Sequence, residues 1–200
     1  MPFTISHAAA VLPCVRRDGS GRGRLVPSLL VAGSFAPDVP YFAAGAVPGA
    51  MEFGDVTHSF AGVLTVDLAV ALALVGLWLL VREPLLALLP RRVRGRVWAV
   101  VTGRARGDRR PLWWYVSAVL GATTHVVWDA FTHPGRWGLR LVPVLTEQFG
   151  GSPLYWYAQY GSSALALVVL GVFLWRAVRD APTATGPVAA STAARWLALA

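Results

Sequence analysis

Two of the chain's four histidines share one helix-like run with an aspartate between them: His125-Val-Val-Trp-Asp129-Ala-Phe-Thr-His133. Residues four apart on an α-helix lie on one face, about 6 Å apart along the axis, so His125 and Asp129 can grip one ion together. His133 is eight positions from His125. On a straight helix that is about 12 Å, too far for both rings to bind one metal. Pro134 disfavours helix at His133, so the helix is expected to end there. The spacing predicts His125 and Asp129 as metal ligands, with His133 at the rim or acting in proton transfer.

The remaining candidates lie at the edges of apolar stretches. They are His7 in Ser6-His7-Ala8, Asp38 in Pro37-Asp38-Val39-Pro40, and His58 in Asp55-Val-Thr-His58-Ser59. Each has a plainer account on its own. His7 suits a surface position near a frayed terminus, and Asp38 between two prolines suits a turn. His58 suits a helix start flanked by the capping residues Thr57 and Ser59, and the His125/Asp129 pair suits a hydrogen-bonded helix contact. Taken together they predict a metal site with His7, His58, His125 and Asp129 as ligands and Asp38 as a carboxylate that accepts a proton. Histidines and carboxylates without cysteine suit zinc, with manganese or iron as alternatives, and a hydrolytic site keeps one position open for water. Asp67 is a further carboxylate inside an apolar stretch, with no partner evident in the sequence.

These residues must be positioned by greasy helices. The chain has 200 residues, 56% hydrophobic and 14% charged, where a soluble domain carries about 25% charged residues. Gly62–Val81, Leu112–Phe131 and Tyr157–Val178 each approach the roughly 20 residues that a spanning helix needs. Leu25–Ala44 is a fourth, weaker stretch, broken by Pro27, Pro37 and Pro40, and Ser6–Val15 is too short to span. The expectation is an all-α, polytopic integral membrane bundle of about four spans or part-spans. Residues 1–180 would form one helical domain, and 181–200 a polar linker with an apolar end at Ala193–Ala200. Met1–Cys14 lacks the basic front and long apolar core of a secretory signal. Cys14 is the single cysteine, which excludes a disulfide within the chain and a thiolate cluster. No G-x-S-x-G, phosphate-binding glycine loop or H-E-x-x-H is present.

The net charge of +8 comes entirely from arginine among the basic residues. Nine arginines fall between Arg82 and Arg110 and four between Arg16 and Arg24. Both clusters flank apolar stretches, where the positive-inside rule puts them in the cytoplasm. Membrane topology accounts for the charge more simply than nucleic acid does. With the Arg82–Arg110 loop inside, His58, His125, Asp129, His133 and Asp38 all fall on the outer side. The aromatics Trp113, Trp114, Tyr115, Tyr155, Trp156 and Tyr157 flank spans as interfacial belts do.

The order Ser6-His7, Pro37-Asp38, Thr57-His58-Ser59, then His125-x-x-x-Asp129-x-x-Thr132-His133-Pro134-x-x-Trp137 resembles the bacterial membrane family catalogued as domain of unknown function 4184. It is more distantly similar to inner-membrane proteins proposed as metal-dependent hydrolases, whose last block, H-x-x-x-D-x-x-T-x-x-G, is kept here through Thr132 and Gly135. The resemblance covers Met1 to about Val178. It implies a helical protein of the bacterial inner membrane with a divalent-metal hydrolase site, related to zinc-dependent phospholipase folds, and membrane lipid as its partner. At Asp55-Val56 the chain departs from the polar residues usual around the second histidine.

The expected function is metal-dependent hydrolysis of a lipid or phosphoester. Two rivals stay open: a non-enzymatic protein with a structural metal or His/Asp helix contacts, and an ion or proton pathway through Asp67 and Asp129.

Overall fold

Prolines decide where the first helices break. In this computed structural model, which describes residues 3–102 and 110–184, the chain opens with a 3-10 helix at Thr4–Cys14 that buries Ser6, His7, Ala8 and Val11. Pro27 starts α1, Pro27–Phe35, at the first turn, where its missing N–H has no helical partner to lose. Pro37 and Pro40 then each remove a backbone donor. The chain tightens into a 3-10 turn at Ala36–Asp38 and restarts as α2, Val39–Ala43. The weak fourth stretch is therefore not one continuous helix, and Asp38 sits in its break.

Gly49, at φ +78°, leads into α3, Ala50–Thr57. Ser59 caps α4, Phe60–Leu64, its hydroxyl accepting the Gly62 N–H at 3.0 Å. The helix breaks at Thr65, so the expected Gly62–Val81 span is instead α5, Val66–Ala87. An arginine-rich α6, Arg91–Thr102, follows. Next comes α7, Pro111–Thr132, which ends with His133 in extended backbone, as the following Pro134 requires. A short α8, Trp137–Leu141, leads to a 3-10 turn at Pro143–Thr146. A small antiparallel pair, β1 (Gln148–Phe149) and β2 (Ser152–Pro153), then leads into α9, Leu154–Asp180.

Among the described residues, two helices, α5 and α9, are long and apolar enough to cross a membrane. Neither is the buried core helix of a soluble protein: Leu80 is 77% exposed and Val168 is 63% exposed. α7 has the same 22-residue length as α5 but is less apolar along it. Its polar residues Ser117, His125, Asp129 and Thr132 are buried against its neighbours. Of the four expected spans, two thus meet both length and composition, one is a long internal helix with a polar face, and one is the proline-broken segment. The expected apolar end, Ala193–Ala200, lies outside the described residues, as do Arg104, Arg106 and Arg109.

Glycines set the closest helix contact, between α1 and α7. A Cβ at Gly121 would stand 2.2 Å from the Leu30 carbonyl oxygen, and one at Gly33 would stand 2.2 Å from that of Ala118. Small residues at such a seam let two backbones approach directly. Ala118, packed with Leu29 and Ala32, completes it without exposure. This approach brings the end of α1 against the middle of α7, where His125 projects.

Candidate metal centre

Four side chains from three separate stretches converge. Asp38 comes from the proline break, His58 from the end of α3, and His125 and Asp129 from one face of α7. Each offers one ligand atom, and the four atoms lie within 4.8 Å of one another. All four residues are buried, His125 completely.

The imidazoles are oriented from behind. His125 Nδ1 lies 2.7 Å from the Ser34 carbonyl oxygen, and His58 Nδ1 lies 2.8 Å from that of Gly54. A carbonyl can only accept, so each Nδ1 carries the proton and donates it. In the neutral ring each Nε2 is then a lone pair aimed at the cluster, the arrangement that fixes a ligating histidine. Neither Nε2 has a hydrogen-bond partner, and neither do Asp38 Oδ1 or both Asp129 oxygens. The centre therefore consists of buried acceptors facing acceptors. Such a set is costly unless a cation sits among them.

The spacing discriminates between a cation and simple ion pairing. His125 Nε2 is 3.4 Å from Asp38 Oδ1 and 3.4 Å from Asp129 Oδ2; His58 Nε2 is 3.5 Å from Asp129 Oδ2 and 3.8 Å from Asp38 Oδ1. Charge-assisted N–H···O bonds contract to about 2.7–2.9 Å. Ligand atoms at the corners of a tetrahedron with bonds of 2.0–2.1 Å are instead separated by roughly 3.3–3.4 Å. Three of the four contacts fall within 0.2 Å of that edge, and the donor set of two imidazole nitrogens and two carboxylate oxygens suits zinc.

The structure also locates the other expected residues. Asp38, expected as the proton acceptor, stands within the converging set, its second oxygen receiving the Thr4 hydroxyl. His7, expected as a ligand, stands just outside it. His7 Nε2 lies 3.4 Å from Asp129 Oδ1, and its ring stacks on His125 with centroids 3.8 Å apart. Burial, reinforced by neighbouring His125, pushes the His7 imidazole down to about 3, so it stays neutral around pH 7. His133 Nδ1 approaches the same Asp129 oxygen at 3.3 Å, while His133 Nε2 meets the Gln159 side-chain amide at 2.8 Å. Asp129 is thus shared, Oδ2 facing the ligand set and Oδ1 facing His7 and His133. Asp55 is mostly exposed and faces Arg136 at 3.9 Å, away from the centre.

A cavity of about 10 Å³ adjoins these residues, bounded by Thr4, His7, Asp38, Asp129, His133 and Gln159 among others. That is room for about one water. It touches two members of the ligand set and both outlying histidines.

A family model for a domain of unknown function (DUF4184) matches residues 1–200. The chain belongs to that family. No curated protein and no solved structure matches it.

Some groups in this family member's centre are invisible to motif reading. The Ser34 and Gly54 carbonyls belong to the backbone and leave no side-chain signal. Thr57, which reads as a capping residue, instead donates to the Pro37 and Gly54 carbonyls at 2.8 and 3.0 Å, tying the Asp38 turn to the His58 helix. Gln159 had a usable signal: it is a lone amide within an apolar helix. Asp67 is fully buried in the first turn of α5, and neither of its oxygens has a hydrogen-bond partner.

Proposed function

We propose that this chain is a membrane-embedded metal-dependent hydrolase, holding one divalent ion through Asp38, His58, His125 and Asp129. Zinc fits best, with manganese or iron as alternatives. The observation that carries this reading is the convergence of unpartnered buried lone pairs beside a cavity the size of one water. A divalent ion bound there lowers the pKa of an adjacent water toward neutrality and polarises a scissile bond. The chain's own residues do the rest. His58 and His125 are locked in the ligating tautomer by the Gly54 and Ser34 carbonyls. Gln159 holds His133 within reach of the cavity, where its ring can accept a proton from water and return it to a leaving group. Thr4 steadies the Asp38 oxygen that faces away from the set. The substrate class is a lipid or phosphoester reaching the site from the bilayer.

The location follows the same reading: the bacterial cytoplasmic membrane, with the centre at its outer face. Support comes from the exposed apolar surfaces of α5 and α9. It comes also from the positions of the centre at one end of α9, near Gln159, and of Arg176 and Arg179 at the other. Those ends are separated by about 25 Å at 1.5 Å per residue, close to the roughly 30 Å of a hydrocarbon core. With Cys14 replaced by serine, Arg92→Cys should be protected from impermeant external thiol reagents and Glu147→Cys should be labelled. The reverse pattern would place the centre on the cytoplasmic side.

A second reading has its own support. A cavity that holds one water has no room for a substrate, which favours a structural metal that pins the Asp38 turn, α3 and α7 together. Elemental analysis of the detergent-purified protein, combined with turnover of a phosphodiester probe and of phospholipid vesicles, separates the readings. Stoichiometric metal with turnover that a chelator abolishes supports the hydrolase, and stoichiometric metal without turnover supports the structural role. Absence of stoichiometric metal overturns both.

A further inference from the structure

A second feature lies along the seam between the N-terminal 3-10 helix and the second half of α9. An apolar groove of about 500 Å³ runs there, lined by Leu12, Val168, Val172 and Phe173 among others, and it also takes in Arg17 and Arg176. The 3-10 helix and α9 run in the same direction, Ser6 against Ser163 at 3.4 Å and Arg17 against Ala177 and Asp180, so Arg17 and Arg176 lie together at one end of the groove. Arg17 additionally borders a hollow of about 430 Å³ against Trp98, Ala177 and Asp180. The two spaces meet at this arginine. Among the described residues there, Arg17, Arg176 and Arg179 outnumber the two carboxylates, Asp18 and Asp180; Asp180 pairs with Arg179 at 2.7 Å, and Asp18 Oδ1 accepts from the Ser20 hydroxyl. Val168, Val169 and Val172 are exposed, and Arg17 and Arg176 are exposed as well.

An apolar trough about 12 Å long (Val168 to Arg176 at 1.5 Å per residue) that ends in two guanidiniums and an indole has the shape of an amphiphile. The tail side offers only van der Waals contact. The head side offers planar guanidinium forks suited to phosphate oxygens and a tryptophan of the kind that sits at headgroup depth. We propose that this seam binds an anionic phospholipid, with an acyl chain along Leu12, Val168, Val172 and Phe173 and the headgroup phosphate between Arg17 and Arg176. The proposal rests on the membrane-embedded part of the reading above, and on neither the metal nor hydrolysis. A second apolar helix would fill the trough equally well but would bring no phosphate to Arg17 and Arg176, and this favours the lipid.

The test uses the full chain in detergent, given equal amounts of dioleoyl phosphatidylglycerol and dioleoyl phosphatidylcholine, with retained lipids counted by native mass spectrometry. The tails are identical, so the ratio reports the headgroup. The wild type should retain phosphatidylglycerol over phosphatidylcholine by about tenfold, given two basic side chains at an anionic headgroup, and added salt should reduce the ratio. Arg17→Gln/Arg176→Gln should bring the ratio near one without changing metal content. Val172→Trp, which fills the trough, should lower retention of both lipids. An unchanged ratio in the double variant would overturn the proposal, and so would binding of glycerol phosphate as tight as that of the intact lipid. Should the protein fractionate as water-soluble without detergent, the membrane reading itself fails, and that result is distinct from a lost headgroup preference.

Discussion

The two ends of the helical array treat charge in opposite ways. At one end, Asp38, His58, His125 and Asp129 are buried, with contacts between 3.4 and 3.8 Å. At the other, Arg17, Arg91, Arg92, Arg96 and Arg176 are exposed. Arginines there also rest over indole rings, with Arg82 5.9 Å from Trp98 and Arg179 4.7 Å from Trp175. A buried charge needs a partner at the right distance, because displacement leaves it without either water or a counter-ion. An exposed guanidinium needs only a solvated or interfacial place. The difference explains why one end can hold chemistry while the other asks only for water or an interface. Arg94 is the exception that fits the rule: it is buried, and it donates through Nε and Nη2 to the Leu89 carbonyl at 3.2 and 2.8 Å.

The largest effect should come from removing the residue that both halves of the centre share. Asp129→Ala deletes an oxygen from the ligand set and the acceptor that faces His7 and His133. Metal content should fall by at least about tenfold, since even residues that only support a ligand are worth 10–100-fold in affinity. Arg91→Gln and Arg92→Gln should leave it unchanged. Equal metal content in Asp129→Ala and wild type would erase the contrast between the two ends.

Next in size is a change that touches no polar group. Gly121→Val forces a side chain against the Leu30 carbonyl and should push α1 from α7, drawing the Ser34 carbonyl away from His125. Overpacking alone costs about 1–3 kcal/mol, seen as a lower melting temperature, and metal retention should fall with it. Gly76→Ala, on α5 where a Cβ meets nothing within 4 Å, is the control. A full metal complement in Gly121→Val would show that the helix seam does not position the site.

How much of this was legible in the sequence follows from the range of each interaction. The His125/Asp129 pair was readable because helix periodicity is local, and the end of α7 at His133 was readable because proline's restriction is local. The proline break at Asp38 was legible for the same reason. That Asp38 joins the converging set while His7 stands just outside it was not legible, because both reach the centre through tertiary packing. The glycine seam decides that packing, and a glycine carries no sign of what it will approach. The span count was hardest to read where a long apolar run also had to supply a polar interior face, as α7 does, and two of the expected spans meet length and composition among the described residues.

A smaller, sharper effect should separate holding a metal from using it. His133→Ala should keep most of the metal, since His133 stands outside the converging set, and should lose any hydrolysis that the wild type shows. Gln159→Ala, which frees the His133 ring, should lower turnover less and move its pH profile, whereas Gln159→Glu should move that profile in its own way through the added charge. If His133→Ala loses metal as Asp129→Ala does, the division of Asp129 between a binding side and a reacting side is incorrect.

The last effect concerns His7 and is read against pH. Burial first, and neighbouring His125 second, lower its pKa from 6.5 to about 3. Between those values the unfolded chain binds a proton that the folded chain refuses. Stability therefore rises with pH across that window, is complete above 6.5, and is lost progressively on acidification toward 3. Metal release runs in the same direction, because ligands must be deprotonated to bind. The two are separated by recording melting temperature against pH for wild type and His7→Gln, each with and without a chelator. The other buried groups contribute alike to both proteins, so the difference in slope isolates His7. His7→Gln should lose less melting temperature between pH 6.5 and pH 4, with chelator present as well as absent. Parallel curves would mean that His7 takes up its proton in the folded state, which would require its ring to turn out from behind Asp129.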